Sequence, residues 1–311
     1  MKSTSRRWST HIRWVVAATG IAIVLGGGVA RPAAAQQEMS DVEITATRVA
    51  GNVYMLQGRG GNIGVSVGSD GVLLVDDQFA PLADKIRGAL SEIVGGAVEL
   101  EFVLNTHWHG DHVGGNVEFG AEAPVIAHTN VRERMSTRQE TAFGVVEPSS
   151  PEALPVLTFG DSVSIHFNWE EIRAIHYPHG HTDGDAVIFF TGSNVVHMGD
   201  IHFAGLFPFI DLSSGGSVRG VIDAVTRVVD QVPPDASVIP GHGPLSTVDD
   251  LREYVEMLEE SVAFVEAGIQ AGKSLVALIA EGVPERWAGW SWRFIDEARW
   301  IEIVHGSLQG S

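Results

Sequence analysis

The sequence predicts an α+β fold in which two β-sheets pack face to face and helices cover their outer surfaces. Short apolar runs, separated by Gly, Asn and Asp turn signals, recur in both halves of the chain and are typical of strands. Segments with helical spacing of apolar residues interrupt these runs and follow them. Residues 36–311 contain no segment with the composition of a linker, so we expect them to form a single domain.

Strands dominate the first half of this domain. Three apolar runs there end at turn signals such as Ser69-Asp70-Gly71. A helix is predicted where Leu82, Ile86 and Leu90 recur four residues apart. The predicted elements are strands at 53–56, 62–67 and 72–76, a helix at 81–90, strands at 98–105 and 124–127, and a helix at 130–138.

Prolines punctuate the middle of the chain. Pro148, Pro151 and Pro155 predict an irregular loop over residues 139–160, which either overhangs a site or simply connects two elements. Strands and helices then resume. They are strands at 163–167, 172–177, 186–191 and 195–198, a helix at 218–229, a strand at 238–240 and a helical region at 247–282.

Tryptophan is concentrated near the end of the chain, at Trp287, Trp290, Trp292 and Trp300. We expect these side chains to pack a terminal helix onto the body of the domain, because large aromatic residues contribute strongly to cores. The alternative is an exposed aromatic surface that binds a ligand.

The first 35 residues have the organisation of a secretory signal peptide. Four basic residues precede an uncharged apolar run at 14–30, and small residues end the segment at Ala35. We therefore predict a periplasmic protein that has no stable membrane association after cleavage. Two points stay open, since the apolar run is at the low limit for a membrane anchor and Arg6-Arg7 is compatible with twin-arginine export.

The composition excludes several classes of function. The formal net charge is −19, with 39 acidic and 20 basic residues, so the surface repels nucleic acid phosphates and offers no polybasic attachment to anionic lipid. The absence of cysteine excludes disulfides, thiolate nucleophiles and Cys ligands to zinc. We expect a small-molecule substrate, and the composition leaves the oligomeric state open.

The loop after the strand at 98–105 concentrates metal-binding side chains. In the segment from Thr106 to His112, three histidines and Asp111 lie within six residues. Neutral imidazoles and carboxylates are ligands that Zn²⁺ accepts, and a loop lets them converge where a regular strand or helix would not. A surface loop with unrelated histidines is the alternative, and the H-x-H-x-D-H spacing at a strand end argues against it.

Three later loops offer further ligands at strand ends. His181 lies in a turn between two predicted strands, and Asp200 follows the strand at 195–198. His242 follows the last predicted strand and is flanked by Gly241 and Gly243. Neighbouring glycines allow the backbone to approach closely. These loops therefore extend the predicted metal site.

Taken together, these residues resemble the metallo-β-lactamase superfamily. The matching elements occur in the superfamily's order: Asp76, the block from His107 to His112, His181, Asp200 and His242. The resemblance implies a four-layer αββα sandwich with two zinc ions between the sheet edges. It also implies the ligands, with His107, His109 and His181 on one zinc, Asp111, His112 and His242 on the second, and Asp200 bridging the two or completing the second.

The chemistry so implied is hydrolysis of a carbonyl compound. A three-histidine zinc site leaves one position open for water, whose pKa the metal lowers toward about 7. We predict catalytic roles for Asp111, His181 and Asp200, with Asp111 orienting the nucleophile. Asp76 and Thr182 are predicted either to orient the ligating imidazoles or only to end strands.

Departures within the superfamily bear on the substrate. Class B1 and B2 β-lactamases have Cys where this chain has Asp200, and class B3 enzymes usually have Ser there. With Asp at this position, the chain resembles the hydroxyacylglutathione hydrolases and other members of the superfamily. Residues 201–205 also lack the basic side chain that class B1 enzymes use for an anionic substrate, and Arg219 or Arg173 would serve only if the fold brings them near.

The predicted export and the short C-terminal region nevertheless make the chain more similar to a class B β-lactamase than to a hydroxyacylglutathione hydrolase. We therefore predict a periplasmic zinc hydrolase with β-lactamase activity, either efficient or weak, and hence a role in antibiotic resistance. The alternatives in the same superfamily are a lactonase, a thioesterase or a phosphoesterase. An alternative from another class is a non-catalytic periplasmic protein that binds metal.

Overall fold

Two β-sheets form the framework of the protein in the computed structural model, which describes residues 39–142 and 144–310. The predicted signal peptide, residues 1–35, lies outside the described residues. Apolar side chains join the facing surfaces of the sheets, and helices pack on both outer surfaces. The predicted αββα sandwich is therefore confirmed.

The first sheet has seven strands in the order β1-β2-β3-β4-β5-β6-β9. Strands β1 to β4 pair antiparallel, and β5, β6 and β9 add in parallel. The strands are β1 (Thr45–Ala50), β2 (Val53–Gln57), β3 (Ile63–Gly68), β4 (Gly71–Val75), β5 (Leu100–Leu104), β6 (Val125–His128) and β9 (Leu157–Phe159). A hairpin of β7 (Gln139–Thr141) and β8 (Gly144–Val146) forms a separate two-stranded sheet.

The second sheet has six strands that pair in chain order. All of its pairs are antiparallel except β13 with β14. The strands are β10 (Ser162–Phe167), β11 (Glu170–His176), β12 (Ala186–Phe190), β13 (Val195–His197), β14 (Ser237–Ile239) and β15 (Ser246–Thr247).

The α-helices of the described residues cover the sheets or carry site residues. They are α1 (Ala83–Val94), α2 (Gly110–Val113), α3 (Asn116–Phe119), α4 (Thr129–Ser136), α5 (Val218–Gln231), α6 (Val248–Gln270), α7 (Leu275–Glu281) and α8 (Glu297–Gln309). Short 3₁₀ helices lie at Ala80–Leu82, Pro151–Ala153, Gly199–Ile201, Leu212–Ser214 and Glu285–Trp290. None of the helices in the described ranges has the length and apolar character that a membrane span requires.

Alternation along the strands separates the layers. In β4, Leu73 and Val75 face the second sheet, whereas Val72 and Leu74 pack with α1. In β12, Ile188 packs between the sheets, and its neighbours face α5, α6 and α8. Successive residues of a strand point to opposite faces, so a run that is apolar at every position is buried on both. The continuous apolar character of both strands follows from their position in the middle layers.

The structure differs from the sequence prediction in three places. Asp111 and His112, predicted to lie in a loop, lie in the one-turn helix α2. The predicted loop at 139–160 contains the β7–β8 hairpin and β9, whose side chains, apart from Phe159, are exposed or half-buried and so lack an apolar pattern. The predicted helical region at 247–282 is two helices, because the chain turns at Gly272 with φ +73°, a left-handed conformation that glycine favours.

Candidate metal centre

Four strand ends and loops bring the seven predicted ligands together at one edge of the sandwich. His107, His109, Asp111 and His112 follow β5, and His181 lies between β11 and β12. Asp200 follows β13, and His242 follows β14. The ligand atoms form two groups, each within 4.8 Å. The first group is His107, His109, His181 and Asp200, and the second is Asp111, His112 and His242.

The first group converges on a common point. Nδ1 of His109 lies 3.2 Å from Nε2 of His107 and 2.8 Å from Nε2 of His181. Oδ2 of Asp200 lies 3.5 Å from Nε2 of His181 and 3.7 Å from Nε2 of His107. Three imidazole nitrogens and one carboxylate oxygen, directed toward each other, match the donors of a zinc site with an N/O ligand set.

The second group shares Asp200 with the first. Nε2 of His242 lies 3.3 Å from Oδ2 of Asp111, and Nε2 of His112 lies 3.8 Å from the same oxygen. Oδ1 of Asp200 lies 3.0 Å from His112 and 3.4 Å from His242. The two carboxylate oxygens of Asp200 therefore face different groups, and this residue lies between them.

Three histidines of the centre are held in place through their second ring nitrogen. Nδ1 of His181 donates to the backbone oxygen of Phe209 at 2.8 Å, and Nε2 of His109 lies 3.1 Å from Oδ2 of Asp211. Nδ1 of His112 lies 2.7 Å from Oδ2 of Asp76. Such partners fix the tautomer and the direction of the nitrogen that faces the metal.

Asp76 and Thr182 have different roles. Besides His112, Asp76 accepts hydrogen bonds from the backbone N and the hydroxyl of Thr106, both at 2.7 Å. It therefore fixes the start of the histidine loop as well as one imidazole. The backbone N and the hydroxyl of Thr182 both donate to Asp185. Thr182 thus shapes the turn that carries His181 instead of holding an imidazole.

The histidines of the centre differ in the direction in which their pKa values are shifted. Burial lowers the pKa of His181 to about 4 and the pKa of His107 well below its ordinary value, so both are neutral near pH 7. Burial acts in the same direction on His112 and His242, but nearby carboxylates outweigh it. Asp200, Asp111 and Asp76 raise the pKa of His112 well above its ordinary value, and Asp200 and Asp111 raise that of His242 to about 9.

The carboxylates of the centre stay ionised. Burial would raise the pKa of Asp200, but His112, His242 and His107 hold it well below its ordinary value. The pKa of Asp111 is lowered to about 2, since His112 and a hydrogen bond from His242 outweigh burial. The centre therefore presents anionic oxygens beside imidazoles, which favours the binding of a cation.

Two buried atoms of the centre test whether the residues fit a metal. Nε2 of His112 and Oδ1 of Asp200 lie 3.0 Å apart without a hydrogen bond to each other, and neither has another hydrogen-bond partner among the described residues. Buried polar atoms without partners are rare and costly. A cation coordinated by both atoms satisfies them, so the residues fit a metal ion.

The loop between β2 and β3 covers the second group. A Cβ atom at Gly61 would lie 2.1 Å from Cε1 of His112, so only glycine fits at this position. The next residue, Asn62, donates from its backbone N to Gly241 at 2.7 Å and from its side chain to Pro240 at 2.9 Å. These bonds tie the loop to the segment that carries His242.

The centre opens on one side. The side chains of His107, His112, His181 and Asp200 are at most 5% exposed. Those of His109, His242 and Asp111 are 17%, 16% and 30% exposed. A substrate would therefore approach over these three residues, which come from both groups.

Two features around this opening were not predicted from the sequence. Asp211, the partner of His109, follows no spacing motif and was not predicted. Aromatic rings also surround the centre: Phe209 lies 5.9 Å from His109, and Trp292 lies 6.0 Å from His242, measured between ring centroids. The tryptophan cluster is evident in the sequence, but the position of Trp292 beside His242 was not predicted.

The two arginines considered as anchors are directed elsewhere. Arg219 forms an ion pair with Glu266, and the guanidinium of Arg173 lies over the ring of Phe189. Glu266 belongs to α6 and Phe189 to β12, and neither carries a ligand of the centre. Neither arginine therefore provides a cationic anchor for an anionic substrate at the centre.

The family model of the metallo-beta-lactamase superfamily matches residues 46–242, which include all seven predicted ligands. A hydroxyacylglutathione hydrolase from Gloeobacter violaceus is 33% identical over 140 residues, 43% of this chain and 49% of that protein. The chain thus matches about half the length of that relative. An uncharacterized protein from Aquifex aeolicus is 27% identical over 176 residues, 55% of this chain and 79% of that protein.

A solved structure has a similar fold. A metallo-beta-lactamase from Pontibacter korlensis superposes with a TM-score of 0.57, covering 70% of this chain and 99% of that one. Sequence identity between the two is 15%, so the similarity concerns the fold. The portion of this chain after residue 242 lies outside the region that the family model matches.

Proposed function

Because the chain belongs to the metallo-beta-lactamase superfamily, we propose that it is a hydrolase whose centre holds two zinc ions. The observation that carries this proposal is the position of Asp200, whose two oxygens face the two ligand groups. A single carboxylate placed in this way can bridge two cations. The lack of cysteine and the His and Asp donors fit zinc held by nitrogen and oxygen.

The proposed ligands divide as the two groups do. His107, His109 and His181 would hold the first zinc. Asp111, His112 and His242 would hold the second, with Asp200 between the two. Two zinc ions in such a site lower the pKa of water and polarise a substrate carbonyl.

The chain's own residues supply orientation. His181 is fixed by the backbone oxygen of Phe209, so its Nε2 keeps one direction during turnover. Asp111 is ionised and lies at the opening of the centre, where its carboxylate can orient the attacking water. The nearly complete burial of Asp200 excludes bulk water from the space between the groups.

We propose β-lactams as the first substrate class. The predicted export of the protein supports this assignment, because β-lactamases act in the periplasm. Asp200 in place of a thiolate is a harder ligand and alters zinc affinity, so we expect weaker activity than that of a Cys-containing enzyme. Export to the periplasm is part of this proposal, and fractionation of cells that express the full chain tests it.

Thioesters are the second candidate class. The specific observation that favours them is the 33% identity to a protein named hydroxyacylglutathione hydrolase, over about half of its length. A thioester and a β-lactam both present an activated carbonyl to the nucleophile, so the same centre could accept either. Lactones and phosphodiesters complete the set of substrates worth comparing.

The decisive experiment measures zinc content and hydrolysis on the same preparation. Zinc-loaded protein is assayed with a chromogenic cephalosporin, a glutathione thioester, a lactone, an aryl ester and a phosphodiester. We expect two zinc ions per chain and turnover of at least one carbonyl substrate. Hydrolysis of esters or thioesters with an intact cephalosporin would reject the β-lactam assignment, and an absence of turnover with every substrate of the panel would reject the hydrolase.

The variant His181→Ala separates a catalyst from a protein that only stores metal. A catalyst should lose zinc from the first group and turnover together, whereas a storage protein has no turnover to lose. His166→Ala is the matched control, because His166 is exposed on β10 and belongs to neither ligand group. The control should keep both zinc content and activity.

A further inference from the structure

An arc of aromatic rings connects the two exposed histidines of the centre. From His242 the arc runs to Trp292, with ring centroids 6.0 Å apart, and from Trp292 to Phe294 at 5.6 Å. Phe294 lies 5.7 Å from Phe209, which lies 5.9 Å from His109. His242 belongs to the second ligand group and His109 to the first, so the arc follows the rim of the opening across both groups.

We propose that this arc is a substrate-binding wall that selects substrates with an aryl group next to the scissile carbonyl. The proposal rests on the proposed function, since it names a substrate class for the same centre. Ligand sites are mostly lined by apolar and aromatic side chains, with a few polar groups that fix orientation. Here the polar groups are the centre itself, and the rings lie beside them.

The C-terminal segment that supplies two of the rings is anchored to the body of the domain. Nε1 of Trp292 donates to the backbone oxygen of Phe207 at 2.9 Å, and the backbone N of Phe207 donates to Trp290 at 2.9 Å. Trp292 is half-buried by these contacts. The wall is therefore held in place before a substrate arrives, which lowers the entropic cost of binding.

Phe294 is the ring that a substrate would contact most directly. It is 48% exposed, although it packs against Trp292 and Phe209. A large apolar side chain left half-exposed at the rim of a polar centre gains by contact with an apolar ligand. Trp292 and Phe294 lie outside the region that the family model matches, so the C-terminal segment contributes these two rings to the wall.

The test compares ligands that differ only in the aryl group. Binding of phenylacetate and of acetate to zinc-loaded protein is measured by calorimetry, which does not depend on turnover. Hydrolysis of the S-methyl thioesters of phenylacetic acid and of acetic acid is measured in parallel. The unmodified protein should bind phenylacetate roughly tenfold more tightly than acetate, and the thioester of phenylacetic acid should have the lower KM, since aromatic contacts add to apolar burial.

Three variants identify the wall. Phe294→Ala should lose most of the preference for the aryl ligand, and Phe294→Tyr should keep it because the ring remains. Trp169→Asn is the control, since Trp169 is an exposed aromatic residue in the distant β10–β11 turn, and asparagine tolerates its positive φ. This control should behave as the unmodified protein does.

The outcomes separate the wall from the function. Equal binding of phenylacetate and acetate, or an undiminished preference in Phe294→Ala, would overturn the wall even if the enzyme hydrolyses both thioesters. A preference for phenylacetate that Phe294→Ala abolishes, without hydrolysis of any substrate, would support the wall and reject the hydrolase.

Discussion

Nε2 of His109 lies 3.1 Å from Oδ2 of Asp211, and this contact turns Nδ1 of His109 toward His107 and His181. Asp211 is itself fixed, because its carboxylate accepts hydrogen bonds from the backbone N of Ser213 and of Ser214. Burial would raise the pKa of Asp211, but the bonds from His109, Ser213 and Ser214 lower it below its ordinary value. The carboxylate is thus ionised and accepts from the imidazole.

We expect Asp211→Asn to weaken zinc binding by the first ligand group about 10- to 100-fold. An amide NH₂ facing Nε2 would favour the tautomer with the proton on Nδ1, the nitrogen that faces the group. Asparagine still accepts from the serine N–H groups, so the fold should remain. Competition with a chromophoric chelator measures the affinity, and Asp223→Asn on the exposed face of α5 is the control. Unchanged affinity in Asp211→Asn would contradict the role assigned to this contact.

Asp200 and Asp111 should differ in the number of zinc ions that each retains. Asp200 faces both groups, so Asp200→Asn should weaken both zinc sites, retain less than one zinc per chain and lower kcat/KM at least about 100-fold. The carboxylate of Asp111 lies beside His112 and His242 of the second group, so Asp111→Asn should keep the zinc of the first group. Metal analysis after dialysis, together with kinetics, compares the two variants. Equal zinc content in both would show that Asp200 does not join the groups.

Much of the centre could be predicted because its ligands follow strands. The residues after β5, β13 and β14 must meet where those strands end, and each ligand type is recognisable from its chemistry. Asp76 was recognisable in the same way, since it follows β4, which pairs with β5. The two-sheet sandwich was likewise predictable, because strands that are apolar at every position must be buried on both faces.

The features that escaped prediction depend on long-range packing. Asp211 lies about a hundred residues from His109, and its local pattern, Asp211-Leu212-Ser213-Ser214, indicates only a capped turn. Trp292 reaches His242 because the C-terminal segment folds back along Phe207, a contact that no spacing in the sequence encodes. The β7–β8 hairpin has mostly exposed side chains, so no alternation marks it.

Zinc binding should release protons. In the protein without metal, His242 has a pKa of about 9 and the pKa of His112 is also raised, so both imidazoles are protonated near pH 7. A metal can bind their nitrogens only after the protons leave, so apparent affinity should rise with pH until about pH 9. Calorimetry near pH 7 in two buffers of different ionisation enthalpy measures the number of protons released when zinc binds. We expect up to two protons per chain, and no release would contradict the raised pKa values.

A histidine pair outside the centre should make the fold sensitive to acid. His128 is 6% exposed, and its ring stacks on His176 with centroids 3.7 Å apart. Burial, and then the positive charge that His176 would carry, lower the pKa of His128 from 6.5 to about 4. The unfolded chain therefore binds a proton at a higher pH than the folded chain does. The stability that neutral His128 contributes is present above about pH 6.5 and is lost as the pH falls toward 4.

The variant His128→Asn isolates this effect. Nδ1 of His128 accepts a hydrogen bond from the backbone N of Asn130 at the start of α4, and an asparagine side chain can accept the same bond. Between about pH 7 and about pH 5, the variant should lose roughly 1–2 kcal/mol less of its unfolding free energy than the unmodified protein. Urea unfolding of both proteins without metal measures the difference, so that acid effects at the zinc ligands are common to both. The exposed His166→Asn should behave as the unmodified protein, and an equal loss in all three proteins would show that the stacked pair does not govern acid stability.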